Sequence, residues 1–173
     1  VCTHGWVVDG EGKAMHKSAG NSIAPDEIIK QYGADILRLW VASSDYHADI
    51  RISNDILKQL SEAYRKIRNT ARYILGNLDG FDPDAGRVSP EELTELDRWA
   101  YAKLDELIDR VRAGYDALDY HVAFHAIHNF CVVEMSSFYL DIIKDRLYCE
   151  KKDSVLRRAA QTAMYDILTA ITR

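Results

Sequence analysis

The stretch richest in chemistry is Gly12-Lys13-Ala14-Met15-His16-Lys17-Ser18-Ala19-Gly20-Asn21. Two lysines, a hydroxyl and a run of backbone amides lie between glycines. That composition suits a mobile loop closing over a polyphosphate, where ammonium and amide groups meet charge that grows in a transition state. A plain solvated loop has the same composition, so both readings stand at this level. A second constellation is Arg65, Arg68 and Arg72 at i, i+3 and i+7, which puts three guanidinium groups on one helix face. Such a face is either solvated or follows a nucleic-acid backbone, since Arg and Lys contacts to phosphate supply most sequence-independent affinity. A third is His121, His125 and His128, again at i, i+4 and i+7, with Cys131 one turn on. The spacing suits a metal face. No glutamate follows His121 as in a zinc hydrolase motif, however, and the stretch is apolar on several sides, so packed or partly exposed histidines are favoured and no metal ligand is assigned. Tyr139 and Asp141 read as core and interhelix contacts.

The elements that must position these groups are mainly helical. Residues 1 to 24 hold no long helix: Trp6-Val7-Val8 is extended, Asp9-Gly10-Glu11-Gly12 is a turn signal, and a polar stretch follows. Pro25 with Asp26 and Glu27 starts a short helix that Gly33 ends, and Ala34 to Ala42 forms another. From Ser53, the residues Leu57, Leu60, Tyr64, Ile67, Ala71, Ile74 and Leu78 step by three and four along one long helix, which Asp79-Gly80-Phe81-Asp82-Pro83 terminates. Ser89-Pro90-Glu91-Glu92 reads as a capping box opening the stripe Leu93, Leu96, Ala100, Leu104, Leu107, Val111, Tyr115, Leu118. Residues 120 to 148 are apolar on two stripes, Val122, Ala126, Phe130, Val133 and Phe124, Ile127, Cys131, Phe138, Ile142, as in a helix buried among others. Asp153-Ser154 then caps a last helix with Leu156, Ala160, Ala163, Ile167 and Ile171 inward. The expected fold class is mainly α: an antiparallel bundle of four long helices joined by short polar loops, preceded by a short loop and small helices.

Composition narrows the setting. Three cysteines, Cys2, Cys131 and Cys149, with no CxxC spacing indicate neither a disulfide framework nor a zinc ribbon, and a reducing cytoplasm is the simplest compartment. No stretch approaches a membrane span, so no membrane partner is expected. The chain starts at Val1 in an apolar run and stops at Arg173 within a helical pattern, which reads as a piece of something longer. A net charge of −5 argues against a nucleic-acid partner on average, but the charge is segregated. Residues 51 to 73 hold Arg51, Lys58, Arg65, Lys66, Arg68 and Arg72 against Asp55 and Glu62, whereas residues 74 to 119 hold twelve acids against five bases.

Residues 13 to 21 resemble the KMSKS signature loop of the class I aminoacyl-tRNA synthetases, with Ala14-Met15-His16-Lys17-Ser18 on the five motif positions and Gly20-Asn21 following. Met15, Lys17 and Ser18 match; Ala14 stands for the first lysine and His16 for the first serine. The stretch from Pro25-Asp26 through Tyr32-Gly33-Ala34-Asp35-Ile36-Leu37-Arg38-Leu39-Trp40 is similar to the helix pair after that loop in the isoleucyl, valyl, leucyl and methionyl members, and Leu96-Asp97-Arg98-Trp99 resembles their bundle signature. Trp40 to Tyr46, Arg65 to Arg72 and Val133 to Arg146 look like the isoleucyl subgroup. The resemblance spans essentially the whole chain.

It implies an end of a catalytic domain over 1–50 and an anticodon-binding helical bundle over 51–173. It implies an ATP loop of Lys13, Ala14, Met15, His16, Lys17 and Ser18, in which Lys17 takes the catalytic role at the departing pyrophosphate and Lys13 covers for the missing first lysine. A complete member uses ATP with Mg and isoleucine, charges isoleucine tRNA and works as a monomer. Zinc belongs to the C-terminal region of many members and has no ligand set in these residues. The family's HIGH tetrapeptide does not occur in the sequence, so this piece alone is expected to be inactive. A sister synthetase for valine or leucine, or a non-catalytic helical interaction module, stays open as an alternative.

Overall fold

The computed structural model describes residues 3–173; Val1 and Cys2, used above in reading the chain's start and its cysteine count, lie outside the described residues. The chain gathers into two compact units, one of residues up to Arg65 with Val111–His125, the other of Lys66–Arg110 with Ala126–Arg173.

In the first unit, strand β1 (Val7–Val8) pairs in parallel with β2 (Ile50–Arg51), Val7 opposite Ile50 and Val8 opposite Arg51. The extended piece at Trp6–Val8 was legible; its partner was not, because a two-residue strand carries no periodicity. Helices α1 (Pro25–Tyr32) and α2 (Ala34–Ala42) have the expected bounds. Pro25 sits in the first turn, where its missing N–H costs nothing, and Gly33 separates the helices at φ 87°, where a side chain would strain the backbone. Ile28, Ile36, Trp40, Ile52, Leu57 and Leu60 are buried. The Trp40 indole N–H donates to the Arg51 carbonyl at 3.0 Å, tying α2 to β2. Leu118 has φ 62°, an unfavourable left-handed position for leucine. Its carbonyl accepts the Tyr46 hydroxyl at 2.8 Å.

Helix α3 (Asn54–Asn77) is followed by α4 (Glu95–Asp116), α5 (Tyr120–Asn129), α6 (Leu140–Ile142), α7 (Lys144–Tyr148) and α8 (Val155–Ile171), which is the expected helical bundle class. In the second unit Ile74, Ala100, Leu104, Leu107, Ala160, Ala163, Met164 and Ile167 are buried. The last carbonyl of α3 is capped from α8: the Gln161 side-chain amide donates to Asn77 O at 3.0 Å.

Three expectations need correction. The connection between α3 and α4 is long, and the Ser89/Glu92 capping box opens only a 3-10 turn, Pro90–Glu92; Leu93 is extended. Helix α4 starts from a second box. The Thr94 N–H and hydroxyl donate to Asp97 Oδ2 at 3.0 and 2.7 Å, and the Asp97 N–H returns to Thr94 Oγ1 at 3.3 Å. Tyr115, Leu118 and Leu156, expected inward, are exposed, the first in the last turn of α4, the second just beyond it and the third in the first turn of α8.

The third correction concerns residues 130 to 148. Phe130–Tyr139 is a π-helix between α5 and α6. It bonds each N–H to the carbonyl five residues back, as from Leu140 to Met135 O, so its inward positions recur every four to five residues. Met135, Tyr139 and Ile143 are therefore fully buried, while Val133, Phe138 and Ile142 face out. The buried Thr70 hydroxyl on α3 reaches this segment, 3.2 Å from Cys131 O and 2.8 Å from Ser136 Oγ.

Candidate phosphate loop and nucleic-acid interface

The glycine-flanked loop begins as a tight hairpin. Asp9 donates its N–H to Lys13 O at 2.9 Å and accepts the Gly12 N–H on its carbonyl at 3.0 Å, and Ala14 bridges antiparallel to Val8. Gly12 takes φ 87°, and a Cβ there would lie 3.3 Å from Arg51 Nη2. Arg51, counted in the sequence with the basic stretch of residues 51 to 73, thus belongs to β2 and lies beside this loop.

The Asp9 carboxylate organises the turn. Its Oδ1 accepts the N–H groups of Glu11 and Lys13 at 3.0 and 2.9 Å, and its Oδ2 accepts the Asn21 side-chain amide at 2.8 Å. Asn21 in turn accepts the His16 N–H at 2.9 Å and donates to Ala14 O at 3.1 Å. The Asn21 bond, followed by the bond from the Lys13 N–H, holds the Asp9 carboxyl below its ordinary range. The composition suggests a mobile loop; its side chains give it polar anchors.

From His16, whose N–H is held by Asn21, the chain runs into the 3-10 turn Lys17–Ala19 and returns to Asn21 itself. Lys17 and Ser18 are exposed and Met15 is half-buried. No hydrogen bond or ion pair engages the Lys17 ammonium among the described residues, whereas Lys13 is paired with Glu11 at 2.7 Å. The two lysines read together from the sequence are therefore inequivalent.

Arg65, Arg68 and Arg72 lie exposed on α3. Arg65 is bound to Glu62 at 2.8 Å one turn earlier; no such partner occurs for Arg68 or Arg72 among the described residues. In the second unit, Asn69, Thr70 and Tyr73 of α3 line a groove of about 210 Å³ with Ser136, Leu140, Asp141 and Lys144. Asp141, expected to be an interhelix contact, lies on α6 and pairs with Lys144 at the start of α7 at 2.6 Å. Charge segregation had flagged the arginines; only folding adds the groove.

Asp97, part of the bundle signature, is a structural group. Fully buried, it accepts the Arg146 guanidinium at 2.9 Å and the Tyr139 hydroxyl at 2.8 Å. Burial, reinforced by that carboxylate, drives the Tyr139 phenol well above its ordinary pKa. Cys131 is buried, and desolvation pushes its thiol up to about 11, away from the reactive thiolate form. Among the described residues no three His, Cys, Asp or Glu side chains are grouped so that they could hold a metal ion. No helix among the described residues is long and apolar enough to cross a membrane.

Two family descriptions match the sequence: "tRNA synthetases class I (I, L, M and V)" over residues 1–53 and "Anticodon-binding domain of tRNA ligase" over residues 97–173. Curated relatives include the isoleucine–tRNA ligases of Syntrophotalea carbinolica, 65% identical over 173 residues, and Brevibacillus brevis, 58% identical over 173 residues. In each case all of this chain is matched, and it spans about 19% of the relative's length. Among solved structures, Mycobacterium tuberculosis methionyl-tRNA synthetase in complex with methionyl-adenylate superposes with a TM-score of 0.77 at 23% identity, covering 97% of this chain and 33% of that one. The leucyl enzyme LeuRS of Agrobacterium radiobacter K84, in a ternary complex with tRNA and LeuAMS, gives 0.68 at 20% identity over 97% of this chain and 20% of that one. At these identities the two structures establish the shared fold.

Proposed function

We propose that the chain belongs to the class I aminoacyl-tRNA synthetases, in the branch of the isoleucine enzymes, and that it supplies two parts of an isoleucine–tRNA ligase. Residues 1–50 carry the loop that handles the polyphosphate of ATP, and residues 51–173 carry the bundle that holds isoleucine tRNA. The whole enzyme joins isoleucine to ATP, releasing pyrophosphate from isoleucyl-adenylate, and then esterifies the terminal adenosine of the tRNA. It acts as a cytoplasmic monomer, with Mg accompanying ATP as substrate and zinc belonging to its C-terminal region.

The observation that carries the loop's role is the Lys17 ammonium, exposed and, among the described residues, without a partner, on a turn whose two ends are tied by the Asn21 side chain. Lys17 neutralises charge on the departing pyrophosphate, and its value lies mainly in the transition state. Lys13, already held by Glu11, contributes less. Ala14, Met15, His16 and Ser18 shape the loop, with Met15 its half-buried footing.

Arg68 and Arg72 contact tRNA phosphates, Arg65 joining when Glu62 releases it, and the adjoining groove offers donors and acceptors to an unstacked base.

Lys17→Ala in the full-length enzyme tests the first part. Isoleucine-dependent adenylate formation should fall about 10²-fold or more, the scale of losing one transition-state charge partner, with isoleucine binding unchanged. An unchanged rate removes Lys17 from the mechanism. For the second part, Arg68→Gln with Arg72→Gln should reduce the slope of log affinity against log salt by about two units for isoleucine tRNA. An unchanged slope makes them a solvated face.

A further inference from the structure

Asp9 and Asn21 connect the two ends of the phosphate loop through side chains alone. Asn21, on the C-terminal side of the Lys17 turn, bonds back to the chain on its N-terminal side, at Ala14 O and the His16 N–H, and its remaining amide proton goes to Asp9, whose other oxygen shapes the Asp9–Gly12 turn. The order of groups is specific. The Asp9 carboxylate acts only as an acceptor, for three N–H donors, while the Asn21 side chain both accepts and donates.

We infer that Asp9 and Asn21 are positioning residues forming a clasp that fixes where the Lys17 ammonium stands relative to the polyphosphate. The inference rests on the loop reading above and adds residues that touch neither substrate. An ammonium held from one side of its loop sweeps a wider volume than one whose loop is pinned at both ends, and displacement of about 1 Å from the working geometry can cost about 10²-fold in rate. The clasp therefore acts on the chemical step and leaves amino-acid binding alone.

The donor order gives a sharp test in the full-length ligase, read by isoleucine-dependent ATP–pyrophosphate exchange. In Asp9→Asn, two amide donors face each other across the clasp. In Asn21→Asp, two carboxylates do. In the double variant an amide at position 9 donates to a carboxylate at position 21, which still accepts the His16 N–H, so only the bond to Ala14 O is missing. Each single variant should lose about ten- to hundredfold in kcat with the KM for isoleucine unchanged, and the double variant should recover most of that loss. Asn21→Gln, which keeps every group and moves it by one methylene, should also lower kcat.

Single variants or Asn21→Gln at the wild-type kcat, or a double variant as slow as its slower parent, would overturn the clasp. A merely structural role would shift the thermal midpoint and isoleucine KM together with kcat, and that pattern also overturns it. The parallel Lys17→Ala measurement separates the two levels. If Lys17→Ala is as fast as wild type, the loop reading itself falls; if it is slow while the clasp variants are fast, the clasp alone falls.

Discussion

Two aspartates, Asp9 and Asp97, each organise a turn by accepting several hydrogen bonds, and they do so in opposite surroundings. Asp97 is fully buried and shares its oxygens with a guanidinium, a phenol and a hydroxyl from three parts of the second unit. Asp9 lies on an exposed loop, and its partners are two backbone amides within four residues and one side-chain amide. Asp97 accepts five hydrogen bonds and the Asp9 carboxylate three, but the larger difference lies in the consequence. Unpairing a buried group leaves charge stranded without water, whereas unpairing an exposed one lets water take the vacated position. The first network holds the bundle together, and the second sets the shape of a loop at little cost in stability.

The largest expected effect tests the buried side. Asp97→Ala strands Arg146 and should cost about 3–5 kcal/mol in urea unfolding of the protein. A loss under about 1 kcal/mol, the exposed-pair range, would erase the distinction between the aspartates. The same contrast applies within the π-helix: Met135→Ala should cost about 2–5 kcal/mol and Val133→Ala no more than about 0.5 kcal/mol. Equal losses would show that the segment winds as an ordinary α-helix in solution. Thr94→Ala, which removes the cap of α4 but leaves Asp97 bound to Arg146 and Tyr139, should cost about 1 kcal/mol.

The smallest effect is on the exposed side. Because the folded-state pKa of Asp9 is lowered, its contribution is complete above the unfolded value and fades only as pH falls through the lower folded value. Amide exchange at Lys13 and His16, corrected for its intrinsic pH dependence, should show constant protection between about pH 5 and 8 and lose it only on further acidification. Loss of protection near neutrality would assign the loop's order to another group.

Much of the helical framework was legible because it is local. Pro25, Gly33 and the Leu57-to-Leu78 stripe report their own elements through φ preference and periodicity, and the bounds of α1 and α2 follow from them. The same holds for the exposed lysine loop and the Arg68 and Arg72 face, whose candidacy depended on residue type and spacing. The Ser89 box misled because capping chemistry is identical at a 3-10 turn and at an α-helix; which start prevails depends on Asp97 having Arg146, 49 positions away, to neutralise it.

What only the folded chain decided involves partners distant in sequence or winding that breaks the period. The pairing of Val7 with Ile50 and the approach of Arg51 to Gly12 belong to the first kind. The π-helix belongs to the second: an apolar segment with two plausible stripes does not specify its own register, and packing selected the one that buries Met135 and Tyr139. Hydrophobic periodicity is a property of neighbours three and four residues apart, so it encodes elements. Burial, charge pairing and the polar pinning of a loop depend on distances that exist only once the chain has folded.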